Sequence, residues 1–255
     1  MARRLSRGLP SRSGGARQAP QDGLLCPAMS FASNLASSMV HSVRDSSRLA
    51  ASIAEFYMHG AVLGPLGRRY WAWRYRRSDP WNYANSPYEQ QKYERTLSLL
   101  PPAPTPDGVH PAVLEVGCSE GVFTEILAHS PKVHRVIGVD VAQSAVERAQ
   151  ARCAALDNVS LHLGDVREVP FDSRFTAAFC AETLSHMGSW HSLRSICDTL
   201  AEIMQPGGSL VLVDSYPKGR FLHKPFRMHR DFTLVRREVY DDPVRPYMVS
   251  VLTRR

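Results

Sequence analysis

The sequence predicts an α/β fold in which a mostly parallel sheet carries helices on both faces. Short apolar segments alternate along the chain with helical patterns, an order that is typical of parallel strands joined by crossover helices. Five such segments are Ala112–Val116, Val136–Val139, Ser160–Leu163, Thr176–Phe179 and Leu210–Val213. Two more, Phe232–Val239 and Tyr247–Leu252, flank the turn sequence Asp241-Asp242-Pro243 and predict an antiparallel hairpin at the sheet edge.

Two of the helices between the strands have recognisable end signals. Ser144 and Glu147 have the spacing of a capping box, which predicts a helix that starts there and runs towards Cys153. A second helix is predicted to end at Pro206-Gly207-Gly208. Its apolar stripe consists of Leu193, Ile196, Leu200, Ile203 and Met204.

The composition suits a globular protein with one sizeable core, since the 255-residue chain is 44% hydrophobic. It contains no run of about 18 apolar residues, so a membrane-spanning helix is not expected. The five cysteines include no Cys-x-x-Cys pair, and no cluster has the spacing of metal ligands. We therefore expect neither a disulfide framework nor a metal site, and a reducing cytoplasm is the predicted compartment.

The net charge of +7 is concentrated at one end of the chain. Residues 1–79 have a charge balance of +8, whereas residues 80–255 have a balance of −1. A basic patch binds nucleic acid best when a folded surface presents it. The main domain is therefore not expected to bind nucleic acid, and a small molecule is the predicted partner.

The first 78 residues divide into two parts. Residues 1–28 are rich in Arg, Ser, Gly and Pro and are predicted to be a disordered basic tail, with a transit peptide or an initiation at Met29 as alternatives. Residues 29–78 are predicted to be a helical extension, because apolar side chains recur at helical spacing from Ser30 to Met58. The tract from Arg68 to Arg77 mixes aromatics with cations. We expect its aromatics to pack on the domain, and a peripheral membrane contact is the alternative.

A glycine turn follows the first strand of the main domain. Gly117 and Gly121 let the backbone approach a ligand closely, at the strand end where open α/β sheets bind their ligands. The spacing is not that of a dinucleotide fingerprint, because Ser119 and Val122 stand where its glycines would fall. Glu115 precedes the first glycine, and its carboxylate would repel a pyrophosphate but pair with an ammonium group. The motif therefore favours a ligand of the amino-acid type.

Three further polar motifs follow the next strands in order. Asp140 comes after the second strand, where a carboxylate can accept hydrogen bonds from both hydroxyls of a ribose. After the third strand, Asp165 can accept the exocyclic amine of adenine and Val166 can offer its backbone amide. Glu182 and His186 follow the fourth strand. Four ligand-type motifs in the right order are far less frequent by chance than any one of them.

Taken together, these motifs resemble those of the class I S-adenosylmethionine-dependent methyltransferases, over about residues 80–255. The segment from Asp79-Pro80-Trp81 to Ser86–Tyr93 adds a finer resemblance to nodulation protein S and related N-methyltransferases that act on sugar-like amines. The resemblance implies a Rossmann-like seven-stranded sheet in a methyltransferase domain at residues 79–255, with S-adenosyl-L-methionine as cofactor. Ser119 stands where the family usually has glycine, and serine can adopt the turn if its backbone angles are ordinary.

The resemblance also implies the site residues. The cofactor-binding set is Tyr88, Glu115, Gly117, Cys118, Gly121, Asp140, Val141, Asp165, Val166 and Glu182. His186 is the predicted general base. Structural alternatives are helix capping by Glu115 and Asp140, space-filling by Cys118, packing by Tyr88 and a surface position for His186.

The acceptor side is less determined by the sequence. In this fold Glu182, His186 and Asp214 are expected to face the acceptor, and the cationic segment Tyr216–Arg230 either lines that pocket or forms a solvated loop. The expected reaction is methyl transfer to the amine of a small molecule, an amino sugar or oligosaccharide. Alternatives are an O-methyltransferase, an RNA or protein methyltransferase, and a module that has lost turnover. No Asn/Asp-Pro-Pro-Tyr/Phe tetrad follows the fourth strand, which counts against common base or glutamine methylation.

Overall fold

The computed structural model describes residues 46–61, 67–100, 112–172 and 174–255. Its centre is a seven-stranded sheet with the order β3-β2-β1-β4-β5-β7-β6. The strands are β1 Ala112–Val116, β2 Arg135–Asp140, β3 Val159–Leu163, β4 Phe175–Ala181, β5 Met204–Ser215, β6 Phe232–Tyr240 and β7 Tyr247–Arg254. Strands β1 to β5 are parallel, and β7 runs antiparallel between β5 and β6. The predicted fold class is confirmed, including the hairpin at the edge.

Eight α-helices of the described residues connect and cover these strands. They are α1 at residues 46–61, α2 Arg68–Arg74, α3 Pro87–Ser98, α4 Val122–Ala128, α5 Gln143–Arg152, α6 Trp190–Ile203, α7 Lys218–Leu222 and α8 Lys224–Met228. A short 3-10 helix, Leu184–His186, follows β4. Side-chain caps fix two of the helix starts, because the hydroxyl of Ser86 accepts from the Glu89 amide and that of Ser189 accepts from the Ser192 amide.

The predicted start of α5 is wrong in its capping residue. The helix begins at Gln143, and the carboxylate of Asp140 accepts from the Ala142 amide at a distance of 2.9 Å. Ser144 lies inside the helix, and its hydroxyl donates to the Tyr75 carbonyl instead. The capping-box pattern gave the wrong residue because Asp140, at the end of β2, already accepts from the Ala142 amide of this turn.

Two apolar layers fill the two faces of the sheet. Side chains of β1 alternate between them, with Leu114 and Val116 in one layer and Val113 in the other. All five residues of β1 are buried, as expected for a central strand of a parallel sheet that is covered on both faces. This burial holds the carboxyl ends of β1, β2 and β4 side by side at one edge of the molecule.

The described part of the N-terminal extension packs on this domain. Phe56 of α1 is 1% exposed, and its ring meets the ring of Phe221 with centroids 5.4 Å apart. Tyr75 is also buried, whereas Trp73 is 56% exposed. The aromatics therefore pack mainly as expected. No helix in the described ranges is long and apolar enough to cross a bilayer, and the tail 1–28 and residues 29–45 lie outside the described residues.

Candidate functional site

A cavity of about 340 Å³ lies at the carboxyl ends of β1, β2 and β4. It brings together most of the site residues that the sequence predicts. They are Glu115, Gly117, Cys118, Asp140, Val141, Asp165, Val166, Glu182 and His186. Side chains from α1, α2 and the segment that leads into α3 line it as well, among them His59, Trp71 and Trp81. Gly121 shapes the neighbouring turn but is not part of the lining.

The turn after β1 depends on backbone conformations that favour glycine. Gly117 and Gly121 both have φ of 77°. A Cβ atom added at Gly117 would overlap the hydroxyl of Thr183, which follows β4. The Thr183 hydroxyl itself donates to the Val116 carbonyl at 2.8 Å. Glycine is therefore required at position 117 both by its dihedral angle and by the close approach of the neighbouring strand end.

Ser119, which stands where the family usually has glycine, does not have ordinary backbone angles. Its φ is 50°, in the left-handed region that costs a residue with a side chain about 1–2 kcal/mol. Two hydrogen bonds hold it there. Its amide donates to the carboxylate of Asp140 at 2.9 Å, and its hydroxyl lies 2.7 Å from the hydroxyl of Tyr75. The serine therefore joins the glycine turn to the segment after α2.

Glu115 is a buried carboxylate that has no cationic partner among the described residues. The side chain is 3% exposed, and it accepts one hydrogen bond, from the Thr124 hydroxyl at 2.5 Å. Burial raises the pKa of Glu115 to about 8, the hydrogen bond from Thr124 opposes this rise, and the negative charge of Asp140 adds to it. A carboxylate in such a place gains most from a cation that enters the cavity.

Asp140 organises the neighbouring strand end. One carboxylate oxygen accepts from the Ser119 amide and the other accepts from the Ala142 amide. Burial raises the pKa of Asp140, and these backbone amides oppose the rise. Each carboxylate oxygen can accept a second hydrogen bond, so the side chain keeps capacity for two hydroxyl groups of a ligand.

Asp165 is engaged by an arginine that sequence reasoning did not single out. Arg167 donates to it from its backbone amide and from its guanidinium, at 3.0 and 2.8 Å on one oxygen and through a second guanidinium nitrogen on the other. Arg167 also lines the cavity, beside buried Val166. A cation four residues beyond a strand end has no distinctive sequence signal, because most such cations are solvated.

Glu182, at the end of β4, has surroundings that contrast with those of Glu115. Lys92 and Arg245 both contact its Oε1 atom at 3.1 Å. Lys92 also contacts Glu89 at 2.6 Å and is itself 1% exposed. Burial would raise the pKa of Glu182, but the two cations outweigh burial and lower it. The carboxylate is therefore ionised at neutral pH.

Tyr88 does not line the cavity. Its hydroxyl donates to the Arg245 carbonyl at 2.9 Å, and Lys92 lies 5.1 Å from the centre of its ring. The tyrosines of this region that line the cavity are Tyr83 and Tyr93. Tyr88 is thus attached to the ion network around Glu182 rather than to the cavity wall.

His186 lies on the aromatic side of the cavity. Its ring meets those of Trp71 and His59, with centroids 5.0 and 5.3 Å apart, and its Nδ1 atom is buried without a hydrogen-bond partner among the described residues. Burial lowers the pKa of His186 to about 4, and His59 adds to this effect while Glu182 opposes it. The imidazole is therefore neutral at pH 7 and only weakly basic.

The structure contradicts the expected placement of Asp214 and of the segment after it. Asp214 lies inside β5, fully buried, and its carboxylate lies 3.1 Å from Nε2 of His223. His223 is buried too, and its Nδ1 atom lies 2.9 Å from the Ser250 hydroxyl. Tyr216–Arg230 forms α7 and α8, and none of it is in the cavity lining. Asp214 is the penultimate residue of β5 and pairs with Met248 of β7, but its side chain is bound to His223 and does not reach the cavity lining.

Comparison with known proteins identifies the family. A model of the nodulation protein S family matches residues 74–217, more than half of the chain. The chain belongs to the nodulation protein S family. The predicted resemblance is confirmed, and the matched region begins just before Asp79–Tyr93, the segment that carries the finer likeness.

Individual family members cover part of the chain. Nodulation protein S of Rhizobium tropici is 31% identical over 133 residues, 52% of this chain and 53% of that protein. The Bradyrhizobium diazoefficiens protein is 30% identical over 133 residues, which are 52% of this chain and 61% of that protein. The chain thus matches little more than half the length of these relatives.

A solved structure extends the comparison of the fold. The N-methyltransferase NodS from Bradyrhizobium japonicum WM9, in complex with S-adenosyl-L-homocysteine, superposes with a TM-score of 0.61. It shares 21% sequence identity, and the match covers 73% of this chain and 97% of that one. At this identity the comparison establishes the class I methyltransferase fold.

Proposed function

We propose that this family member is an N-methyltransferase that takes a methyl group from S-adenosyl-L-methionine and transfers it to the amine of an amino sugar or oligosaccharide. The observation that carries the proposal is Glu115, a buried carboxylate without a cationic partner in the described structure, beside a glycine turn and Asp140. A methionine-type ligand brings an ammonium group to such a carboxylate. A dinucleotide would bring a pyrophosphate, which the same carboxylate would repel.

The other residues of this wall fit the remainder of the ligand. Asp140 has acceptor capacity for the ribose hydroxyls, and Asp165 with the Val166 amide suits the exocyclic amine and ring of adenine. Gly117, Cys118 and Val141 supply a close backbone surface along the lining. When bound, S-adenosyl-L-methionine supplies a methyl group on a positively charged sulfur. The protein's task is then to hold an acceptor in line with the methyl–sulfur bond at near-attack distance.

The aromatic side of the cavity supports a sugar amine as acceptor. Trp81 and Tyr83 are stacked with centroids 5.7 Å apart, and Trp71 and His59 also line the space. Aromatic faces bind the apolar faces of small ligands and attract cationic groups. Nucleic acid is a weaker candidate, because residues 80–255 have a charge balance of only −1. The solved family member is an N-methyltransferase, which supports amine chemistry.

The proposed mechanism needs no covalent intermediate on the protein. Cys118 is buried at the cavity wall, and burial raises the pKa of its thiol well above the usual value. A thiol in this state is a poor nucleophile, so we assign it a packing role. The described cysteines are all free and buried, which suits the cytoplasm as the proposed compartment.

The test uses the purified full-length chain with S-adenosyl-L-methionine labelled in its methyl group. It is offered a free-amine glucosamine oligomer, the fully N-acetylated form of that oligomer, and bulk RNA. We expect label in the free-amine oligomer alone. Label in a sugar hydroxyl would favour an O-methyltransferase, label in RNA alone would reject the acceptor class, and binding of the methyl donor without any transfer would favour a module that has lost turnover.

A further inference from the structure

The strained end of β4 carries Glu182, a carboxylate of the cavity lining that is held by two cations. This inference rests on the proposed function. We propose that Glu182 receives the acceptor nitrogen and stabilises the positive charge that it gains during methyl transfer, and that Lys92 and Arg245 are the positioning residues for this carboxylate.

The contacts of Glu182 leave one of its oxygens for a ligand. Lys92 and Arg245 both contact Oε1, each at 3.1 Å. The described residues supply no hydrogen-bond partner to Oε2, although the side chain is only 14% exposed and lines the cavity. The two cations restrain the carboxylate through Oε1, so Oε2 is the oxygen that a ligand in the cavity can contact.

The cations themselves are held in place. Buried Lys92 is anchored by Glu89 one turn earlier on α3, at 2.6 Å. Arg245 also reaches Glu89, at 3.4 Å, and its carbonyl accepts from the Tyr88 hydroxyl. Two cations and two carboxylates thus form a neutral network that spans α3, the end of β4 and the loop before β7. Side chains held on several elements provide the rigid support that a charge-stabilising group needs.

The backbone at Glu182 is strained. Its φ is 56°, which is uncommon for a residue with a side chain, and its amide donates to the Val213 carbonyl at 2.8 Å. The Ser185 hydroxyl donates to its carbonyl at 3.2 Å. Strained positions of this kind persist where the surrounding structure over-determines them, and they cluster at functional sites. Here the unusual angle directs the side chain towards the cavity and the ion network.

The chemistry of the transfer calls for a fixed negative charge near the nitrogen. The neutral acceptor nitrogen forms a bond to the methyl carbon while the carbon–sulfur bond breaks and sulfur keeps the electron pair. The positive charge therefore moves from sulfur to nitrogen, and the methylated ammonium product then loses a proton to solvent. Because Glu182 is already ionised, its charge stabilises the developing ammonium without reorganisation at the moment of reaction.

His186 is less suited to this task than Glu182. Burial and the nearby His59 lower its pKa to about 4, so it would hold a proton from an amine only weakly. Its buried Nδ1 atom has no partner among the described residues and is available to accept a hydrogen bond from the acceptor. We assign His186 an orienting role beside Glu182.

The first test compares Glu182→Gln with the matched surface variant Glu125→Gln, using a free-amine glucosamine tetramer. We expect kcat to fall about 100-fold in Glu182→Gln, as when one preorganised charge-stabilising group is removed. The Kd for S-adenosyl-L-methionine, measured by calorimetry, should stay within about threefold, since an affected hydrogen bond to the donor would exceed that. The Kd of the tetramer for the protein saturated with S-adenosyl-L-homocysteine should weaken at least several-fold.

The outcomes separate the inference from the proposed function. Wild-type activity with an unaffected Glu182→Gln variant overturns the inference alone. A loss of donor affinity as large as the loss of rate also overturns it, because it would return Glu182 to the cofactor site. A wild-type protein that binds the donor but methylates no amine overturns the proposed function, and the inference falls with it.

The second test uses the pH profile, which a merely structural role of Lys92 would not move. Groups facing Glu182 from the surrounding elements are Tyr83, Tyr88, Glu89, Lys92, Tyr93, His186, Asp214 and Arg245. At saturating S-adenosyl-L-methionine, the log kcat/KM of the wild type for the acceptor should fall with a slope of one below the pKa of the acceptor, as the neutral amine is lost.

Loss of either cation should make the protonation of Glu182 visible in the pH profile of kcat/KM. In Lys92→Met a second unit of slope should appear at low pH, because burial without Lys92 raises the pKa of Glu182. Arg245→Gln, at a half-exposed site, should shift the profile in the same direction by less, and it serves if Lys92→Met fails to fold. Wild-type slopes in the variants that fold would overturn the positioning roles.

Discussion

Two carboxylates that line the cavity, those of Glu115 and Glu182, differ in their electrostatic surroundings. Glu115, at the end of β1, has a hydroxyl partner and no cationic partner in the described structure, and burial raises its pKa to about 8. Glu182, at the end of β4, is held by Lys92 and Arg245, and its pKa is lowered. Both side chains are glutamate and both line one cavity, so the difference comes from their neighbours alone.

The difference indicates which of the two sites needs a cation from outside. Placing an uncompensated charge in a protein interior is costly, so Glu115 takes up a proton in the free protein and gains from an incoming ammonium. The charge of Glu182 is compensated by its own network and persists whether or not a ligand is bound. One wall is therefore suited to binding a cation, and the other is suited to stabilising charge that develops.

The largest expected effect is at Gly117, where the glycine turn after β1 contacts Thr183 after β4. Gly117→Ala should lower the free energy of unfolding by about 2–5 kcal/mol, from the left-handed φ and from the overlap with the Thr183 hydroxyl. Urea denaturation measures the change. Adding Thr183→Ala should recover the part that comes from overlap and leave the part that comes from φ. A Gly117→Ala protein as stable as the wild type would mean that the walls are not in close contact.

The second expected effect tests whether Glu115 binds the ammonium group of S-adenosyl-L-methionine. Glu115→Gln should weaken the binding of S-adenosyl-L-methionine by about 10- to 100-fold, because a hydrogen bond to a charged group is worth about 1.5–3 kcal/mol. Calorimetry measures this, with Glu125→Gln as the matched control. The ligand-free protein should not lose stability, because the uncompensated carboxylate is removed. Unchanged affinity would exclude Glu115 from the donor site.

The pKa of Glu115 also predicts a pH dependence of binding. Below about pH 8 the carboxyl of the free protein is protonated, and the ammonium of the ligand requires it ionised. Binding at pH 7 should therefore release close to one proton, and affinity should increase about tenfold from pH 6 to pH 7. Calorimetry in buffers of different ionisation enthalpy counts the proton. Absence of proton release, in the wild type as in Glu115→Gln, would contradict the assignment.

The same shift affects the stability of the free protein. The folded-state pKa of Glu115 lies above the ordinary value of 4.5, so the folded protein binds the proton more tightly than the unfolded chain does. The stability from this group is fully present below pH 4.5 and is lost as pH rises through about 8. The difference in unfolding free energy between the wild type and Glu115→Gln should follow this window.

The smallest expected effect concerns the serine of the glycine turn. Ser119→Gly relieves a left-handed angle but removes the hydrogen bond to Tyr75, so the two changes of about 1 kcal/mol each should nearly cancel. Tyr75→Phe removes the bond and leaves the strain, so it should destabilise by about 1 kcal/mol. Thermal denaturation of both variants compares them. If Ser119→Gly were the more damaging change, strain at Ser119 would not be significant.

The parts of the molecule that sequence reasoning predicted are those that local patterns determine. Ala112–Val116 was predicted with the bounds that β1 has, because a central parallel strand is a continuous apolar run between turn residues. Glu115 and Asp140 were singled out because each stands at the carboxyl end of such a strand. The prediction of these acidic residues therefore followed from the prediction of the strands.

The residues that were missed come from elements that only the folded chain brings together. Lys92 lies 90 positions from Glu182 and Arg245 lies 63 positions from it. A lysine three residues after a glutamate on a helix usually signals an exposed pair, so nothing local marks Lys92 as buried. The same holds for His59 and Trp71, whose contribution to the cavity depends on how α1 and α2 dock.

The origin of the cavity walls has a consequence for how this protein can diversify. The residues that suit the donor lie on the sheet and its glycine turn, where a neighbouring strand end leaves no room for even one extra methyl group at position 117. His59, Tyr70 and Trp71 come from α1 and α2, outside the sheet. All three residues precede residues 74–217, which the family model matches. Mutational drift in these helices can therefore change which molecules fit the aromatic side of the cavity, while the packing of the sheet keeps the glycine turn unchanged.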